Sequence, residues 1–265
     1  MGIKFVDVHT HPLKEYYEDN YEVIERAHKK GLAAIFVTGC SLKENEEVKK
    51  ICQKYDYTFA VLGVHPHEVK GKSDALFLEK QIDKNTYAIG EIGLDYFFRN
   101  EESYEEQLKI KSIQKESFIA QIEVAKKYKL PVVIHMRDSY EDLYGIIKKY
   151  HNDVKFMIHT FSGDINWAKK FYELGCYFSF SGIATYKNAK KTIEVLEWMP
   201  IDRILTETDA PFLSPATKRG KLNYPNYVIH TVLYIAGIKK MSVEKTADQI
   251  LKNTRELFKI NVSRK

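Results

Sequence analysis

The stretch Phe5-Val6-Asp7-Val8-His9-Thr10-His11 reads as a β-strand, apolar and β-branched with polar residues recurring at every second place. A strand alternates its faces with period two, so His9 and His11 point the same way and Asp7 shares their parity. Two imidazoles on one strand face rarely improve a core; the pair marks a candidate site. Similar short runs recur at 33–40, 58–65, 87–94, 131–136, 155–160, 177–183 and 203–208, with amphipathic stretches such as 18–30, 43–55, 103–129, 139–150, 164–174, 188–198 and 242–258 between them. Pro131 opens the fifth run, where a strand start tolerates it. Ser242 stands as the N-cap of the last helix. Strands alternating with helices predict an α/β fold, a (β/α)8 TIM barrel with its site at the C-terminal ends of the strands. A doubly wound sheet shares the alternation, but the chain has no G-x-G-x-x-G fingerprint and no Walker A loop.

The composition agrees. The chain has 265 residues, 44% hydrophobic and 29% charged, enough for a sizeable core and too mixed in charge for global disorder. No linker or composition break divides it, so residues 1–265 are expected to form a single domain. No apolar run approaches the roughly 18 residues of a membrane span. Cys40, Cys52 and Cys176 form no C-x-x-C pair and no disulfide framework, and residues 1–7 contain no signal-peptide core, which together predict a cytoplasmic protein. The net charge of +5 permits a nucleic-acid partner without demanding one.

The acids and histidines fall where barrel chemistry is carried. His9 and His11 lie on the first strand, and His65 ends the third, with His67 just beyond. Glu91 lies on the fourth, His135 late in the fifth and His159 late in the sixth, and Asp209 follows the eighth at once. His28, His151 and His230 fall in helices or at helix ends and receive no role. Imidazoles with carboxylates suit Zn, Mn, Fe or Ni better than Ca. The set exceeds the needs of one tetrahedral zinc and suits two ions sharing a carboxylate and a water. Two ions about 3.5–4 Å apart stabilise both the attacking and the leaving oxygen of a displacement.

At these residues the sequence resembles the TatD-type metal-dependent deoxyribonucleases of the amidohydrolase superfamily. The matching stretches are Val6-Asp7-Val8-His9-Thr10-His11, Gly63-Val64-His65-Pro66-His67, Gly90-Glu91-Ile92-Gly93-Leu94-Asp95-Tyr96, Pro131-Val132-Val133-Ile134-His135-Met136-Arg137, His159-Thr160-Phe161-Ser162-Gly163, Thr206-Glu207-Thr208-Asp209-Ala210-Pro211 and Asn253-Thr254-Arg255-Glu256-Leu257-Phe258. The resemblance implies that His9, His11 and Asp209 hold one divalent ion, that His135 and His159 hold a second, and that Glu91 bridges the two. The ions would be Zn, Mn or Mg. Asp209 would also orient or deprotonate the attacking water. His65 and Arg137 would meet a substrate phosphate, the arginine through its fork; the alternative for Arg137 is an ion pair with Asp138 or Glu91. Tyr96 would contact substrate on a loop braced by Asp95. Asp7 and Glu207 would orient their neighbours from behind the ligands or close a buried polar network. Two departures concern the loops: Leu13 stands where relatives often carry an acid, and Arg99 lies one place later than their usual arginine.

The implied activity is cleavage of DNA phosphodiester bonds, as a 3′-to-5′ exodeoxyribonuclease using a metal-activated bridging water. The expected partner is single-stranded DNA or a DNA end, with no membrane and, for preference, a monomer. Lys14, Tyr16 and Tyr17 after the first strand, Tyr96 to Arg99 after the fourth, and Lys218, Arg219 and Lys221 after the eighth would line the groove. Two alternatives remain open. One is an ester or amide hydrolase of the same superfamily, for example one that deacylates aminoacyl-tRNA. The other is a non-catalytic metal- or nucleic-acid-binding module. The fourth strand offers Glu91 and no lysine to carry a bridging carbamate, which favours the nuclease-like branch.

Overall fold

The protein, described here from a computed structural model over residues 2–98 and 102–262, is an eight-stranded parallel barrel wrapped by helices. The chain runs β1 (Phe5–Thr10), α1 (Asn20–Lys29), β2 (Leu32–Thr38), α2 (Leu42–Lys54), β3 (Thr58–Leu62), α3 (Ser73–Gln81), β4 (Thr86–Asp95) and α4 (Tyr104–Tyr128). It continues through β5 (Val132–Arg137), α5 (Tyr140–Tyr150), β6 (Phe156–Ile158), α6 (Ile165–Glu173), β7 (Tyr177–Phe180), α7 (Lys190–Trp198), β8 (Ile204–Thr206), α8 (Val228–Lys239) and α9 (Val243–Phe258). Each strand pairs in parallel with the next, in sequence order. The expected (β/α)8 architecture is the one observed. Among the described residues no helix is long and apolar enough to cross a membrane.

The seam between β8 and β1 is closed largely by polar side chains and loop backbone. Thr206 Oγ1 donates to the Val6 carbonyl at 3.1 Å, and the Asp209 N–H donates to the His9 carbonyl at 3.0 Å. Asp7 accepts from both the Thr208 N–H at 2.9 Å and the Thr208 hydroxyl at 2.5 Å. Asp7 thus joins the first strand to the loop that carries Asp209.

Pleating explains how the strands carry both core and site. Val133, Met157 and Leu205 belong to an apolar cluster with Phe36, Val61 and Phe258. Two residues later on the same chain stand His135, His159 and Glu207, so one face packs hydrocarbon below and presents polar groups above. A larger cluster, including Ile24, Ile51, Ile134 and Phe178, fills the layer between strands and helices.

Several strands are shorter than expected. β1 stops at Thr10, β3 at Leu62, β6 at Ile158 and β8 at Thr206, so His11, His65, His159 and Asp209 stand on the turns beyond. The chain leaves extended geometry there: Thr160 and Asp209 take positive φ angles of 39° and 54°. Functional side chains held on such turns are aimed by a backbone conformation that non-glycine residues seldom adopt. α9 begins as expected, with Ser242 accepting from the Lys245 N–H.

Asn253 ties α9 to the barrel. Its buried amide donates to the carbonyls of Ile201 at 2.8 Å and Ile204 at 2.7 Å. Asn253→Ala strands two acceptors in the interior, and urea unfolding should show a loss of about 1–3 kcal/mol.

Candidate metal centre

Glu91 lies at the middle of the site, 4% exposed. It reaches the centre because β4 runs tightly against its neighbours. A Cβ on Gly90 would come within 2.6 Å of Val133 Cβ, and one on Gly93 within 2.0 Å of the His135 carbonyl oxygen. Gly93 also has a φ of +151°, which side-chain-bearing residues rarely adopt. The G-E-I-G spacing therefore seats the carboxylate beside β5.

The two oxygens of Glu91 face two groups of donors. On the Oε2 side, His9 Nε2 stands at 3.3 Å and His11 Nε2 at 3.9 Å. Asp209 Oδ1 completes that group, 3.5 Å from His9 Nε2 and 3.3 Å from His11 Nε2. On the Oε1 side, His135 Nδ1 lies at 2.6 Å, His159 Nε2 at 2.9 Å and His65 Nε2 at 3.7 Å. Four clusters of potential ligands result: His9–His11–Asp209, His9–Glu91–His159, His65–Glu91–His135 and His11–Cys40–Glu91. The structure thus brings together all six residues expected as ligands, and adds His65 and Cys40 to them.

Outer partners decide which ring nitrogens face inward. His11 Nδ1 lies 2.9 Å from the Thr38 carbonyl, an acceptor, so this nitrogen carries the proton and donates. His159 Nδ1 faces Glu207 Oε1 at 3.2 Å, and His135 Nε2 faces Asp95 Oδ2 at 3.0 Å. The opposite nitrogens are left aimed at Glu91 and Asp209. His9 Nε2 and His11 Nε2 stand only 3.1 Å apart, too close for a proton on each to point at the other. Carboxylate–histidine pairs of this kind are the usual outer support of metal ligands.

The electrostatics point the same way. Burial alone would push the imidazoles toward neutrality. Glu91 and Glu207 outweigh it at His159 and hold that ring well above its ordinary value. Asp209 is prominent among the groups that raise His9 and His11, as Asp95 and Glu91 raise His135. Burial would likewise raise the two acids, yet His159 and His135 hold Glu91 well below the carboxylate range, and His11 and His9 do the same for Asp209. The carboxylates draw positive charge onto the imidazoles, and divalent cations would supply that charge to a buried nitrogen–oxygen donor set of this composition. His65 differs, since burial lowers it to about 3.

The supporting acids form a buried polar network behind the ligand residues. Glu207 is expected to orient a neighbour or to close a buried polar network, and the neighbour proves to be His159, not Asp209. The Glu207 carboxylate accepts from His159, Thr160 Oγ1 and Ser179 Oγ, because the turn at Asp209 parts Glu207 from Asp209. Asp7 acts on backbone, accepting from the His9 N–H at 3.3 Å as well as from Thr208, and burial raises it to about 8. Asp95 does brace its loop, accepting from the Phe97 N–H at 3.0 Å, and it also holds His135 and His67. Its service to the histidines was not foreseen, because that contact spans two strands.

The expected substrate contacts divide. Tyr96 is half-buried and its hydroxyl donates to Asp142 at 2.9 Å, so that hydroxyl is turned away from the cluster. The exposed ring on that loop is Phe97, and Arg137 stacks on it at 3.8 Å. Among the described residues Arg137 makes no ion pair with Asp138 or Glu91. Tyr17 is buried, donating to the Asn223 carbonyl, and Leu13 is buried in the core. Arg219 and Lys221 are exposed, while Lys218 is half-buried near the Tyr227 ring. Arg99 lies outside the described residues. Two neighbours of the centre were missed. Phe212, 49% exposed, has its ring 6.3 Å from that of His11. Cys40 places its sulfur 3.8 Å from Glu91 Oε2; its place at the end of a predicted strand was the signal available.

Comparison with known proteins agrees with this geometry. Residues 6–259 match the family model described as TatD related DNase. The uncharacterized metal-dependent hydrolase YabD of Bacillus subtilis is 37% identical over 260 residues, spanning 96% of this chain and 99% of that one. The uncharacterized metal-dependent hydrolase YcfH of Escherichia coli is 31% identical, spanning 98% and 97%. The crystal structure of YjjV, a TatD homolog from Escherichia coli, superposes with a TM-score of 0.85 at 26% identity, covering 97% of this chain and 98% of that one. The chain belongs to the TatD-related DNase family.

Proposed function

We propose that this chain is a divalent-metal-dependent hydrolase of DNA phosphodiester bonds, one catalytic domain over residues 1–265. It would act as an exodeoxyribonuclease on single strands or DNA ends, in the 3′-to-5′ direction. The observation that carries the reading is the sharing of Glu91: one oxygen faces His9, His11 and Asp209, the other His65, His135 and His159. In this reading His9, His11 and Asp209 would hold one ion, His135 and His159 a second, and Glu91 would serve both. Bound divalent ions supply Lewis-acid polarisation of the phosphate and lower the pKa of water toward neutrality.

The remaining work falls to the chain itself. The side chain of Asp209 is 13% exposed against 5% for Glu91, so Asp209 is the more open acid of the pair. Its carboxylate orients the attacking water and accepts its proton as the phosphorus–oxygen bond to the leaving nucleotide breaks. Glu207 and Asp95 fix the rings of His159 and His135 and keep the inward nitrogens aimed. Arg137 is exposed and presents its guanidinium beside the ring of Phe97. It suits a phosphate oxygen pair, with the exposed aromatic next to it as a face for a base. His65, mostly buried with its side chain 14% exposed, would offer a further contact to the phosphate.

Digestion of a 5′-labelled single-stranded DNA oligonucleotide tests the activity. Chelator-stripped protein should be inert, and Mg²⁺, Mn²⁺ or Zn²⁺ should restore a ladder shortening from the 3′ end that Asp209→Asn abolishes. No cleavage by folded, metal-loaded protein would sink the nuclease reading and favour an ester or amide substrate. Arg137→Ala should weaken DNA binding across sequences and reduce the slope of log affinity against log salt by about 1. An unchanged slope would remove Arg137 from the phosphate site. Glu207→Gln should lower metal affinity by about 10–100-fold, read by calorimetric titration of the stripped protein.

A further inference from the structure

The three cysteines differ in what surrounds them. Cys52 and Cys176 pack in the apolar layer between strands and helices, where a thiol serves as a small hydrophobe. Cys40 belongs to neither apolar cluster. It follows β2 by two residues, and its backbone is pinned on both sides. Its N–H donates to Glu44 Oε2 at 2.9 Å, and its carbonyl accepts from the His65 N–H at 2.8 Å. Gly39 before it admits no side chain, since a Cβ there would lie 2.4 Å from Asn45 Oδ1. The sulfur is thereby held 3.8 Å from Glu91 Oε2 and 3.9 Å from His11 Nδ1. His11, Cys40 and Glu91 form a fourth group of candidate ligands; the His11 nitrogen nearest the sulfur is the Nδ1 that donates to the Thr38 carbonyl, so the sulfur meets the centre beside Glu91 Oε2.

From this placement we infer that Cys40 is a further ligand of the ion on the Glu91 Oε2 side, and that it makes that position selective for a thiophilic ion of the zinc type over magnesium. The inference rests on reading the cluster as a metal centre. It adds to the imidazoles and carboxylates the one donor type that separates the metals. Thiolate suits zinc and its analogues, whereas magnesium takes oxygen. On ligation the S–H bond breaks, the sulfur–metal bond forms and the proton leaves to solvent. Sharing Glu91 Oε2 with His9 and His11 places a soft donor on one side of the bridging carboxylate. The Oε1 side, with His65, His135 and His159, has none among the described residues. The two positions should therefore differ in metal preference.

Absorption spectroscopy of the full-length protein loaded with Co²⁺ tests this without any assay of activity. The wild type should show a thiolate-to-cobalt charge-transfer band in the near ultraviolet together with visible d–d bands. Cys40→Ser, which retains Cys52 and Cys176, should lose the first and keep the second. Cd²⁺ affinity should fall at least about tenfold in that variant while Mg²⁺ affinity changes by less than about twofold. Visible bands without charge transfer in the wild type would overturn the role of Cys40 and leave the metal centre standing. No cobalt spectrum at all would overturn both. The wild-type spectrum alone decides the ligand question if the variant does not fold.

Discussion

Burying the Glu91 carboxylate 4% exposed at the middle of a barrel is costly unless positive charge meets both oxygens. Four of the histidines stand close to it, on or just beyond β1, β5 and β6, with Asp209 on the turn after β8, and cations held among them would meet that demand. Much of the upper barrel follows from holding this set. The glycines around Glu91 let β4 approach β5. The seam at β8 and β1 is tied by Asp7 to the loop that carries Asp209. The positive φ angles at Thr160 and Asp209 turn the chain where His159 and Asp209 must point inward.

The outer layer shows the same logic one step removed. Asp95 serves His135, Glu207 serves His159 and the Thr38 carbonyl serves His11. Each of these imidazoles is thus gripped at one nitrogen and aimed at Glu91 or Asp209 with the other. The apolar side chains two residues below complete the support, so the site is backed by hydrocarbon on one side and opens toward the loops on the other. Phe97 with Arg137, and Phe212 near Tyr16, are exposed aromatics on opposite rims of that opening.

The strands were readable because buried parallel strands are short β-branched or aromatic runs, and the acids and histidines stood out against them. α3 and α8 were not readable in the same way. Leu76 and Phe77 are exposed on α3 and blur its periodicity. α8 carries Val, Ile, Thr and Gly, poor helix formers held by packing. The ends of β6 and β8 were overrun by two residues, since the turns made by Thr160 and Asp209 carry no glycine to announce them. The ligand residues were visible as types at positions. The pairings behind them were less so: the Asp95–His135 contact crosses strands, and the turning of the Tyr96 hydroxyl toward Asp142 depends on a helix 46 positions away in the chain. Cys40 reads in the sequence as the end of a strand, and only the fold sets its sulfur beside Glu91.

The claim on which the rest hangs is that Glu91 is shared between two cations. Anomalous diffraction from crystals of the protein grown with Mn²⁺ or Zn²⁺ tests it most directly. The account predicts two peaks on either side of the Glu91 carboxylate, one against His9, His11 and Asp209 and the other against His135 and His159. A single peak remote from Glu91, or none while the histidines keep their arrangement, would contradict it.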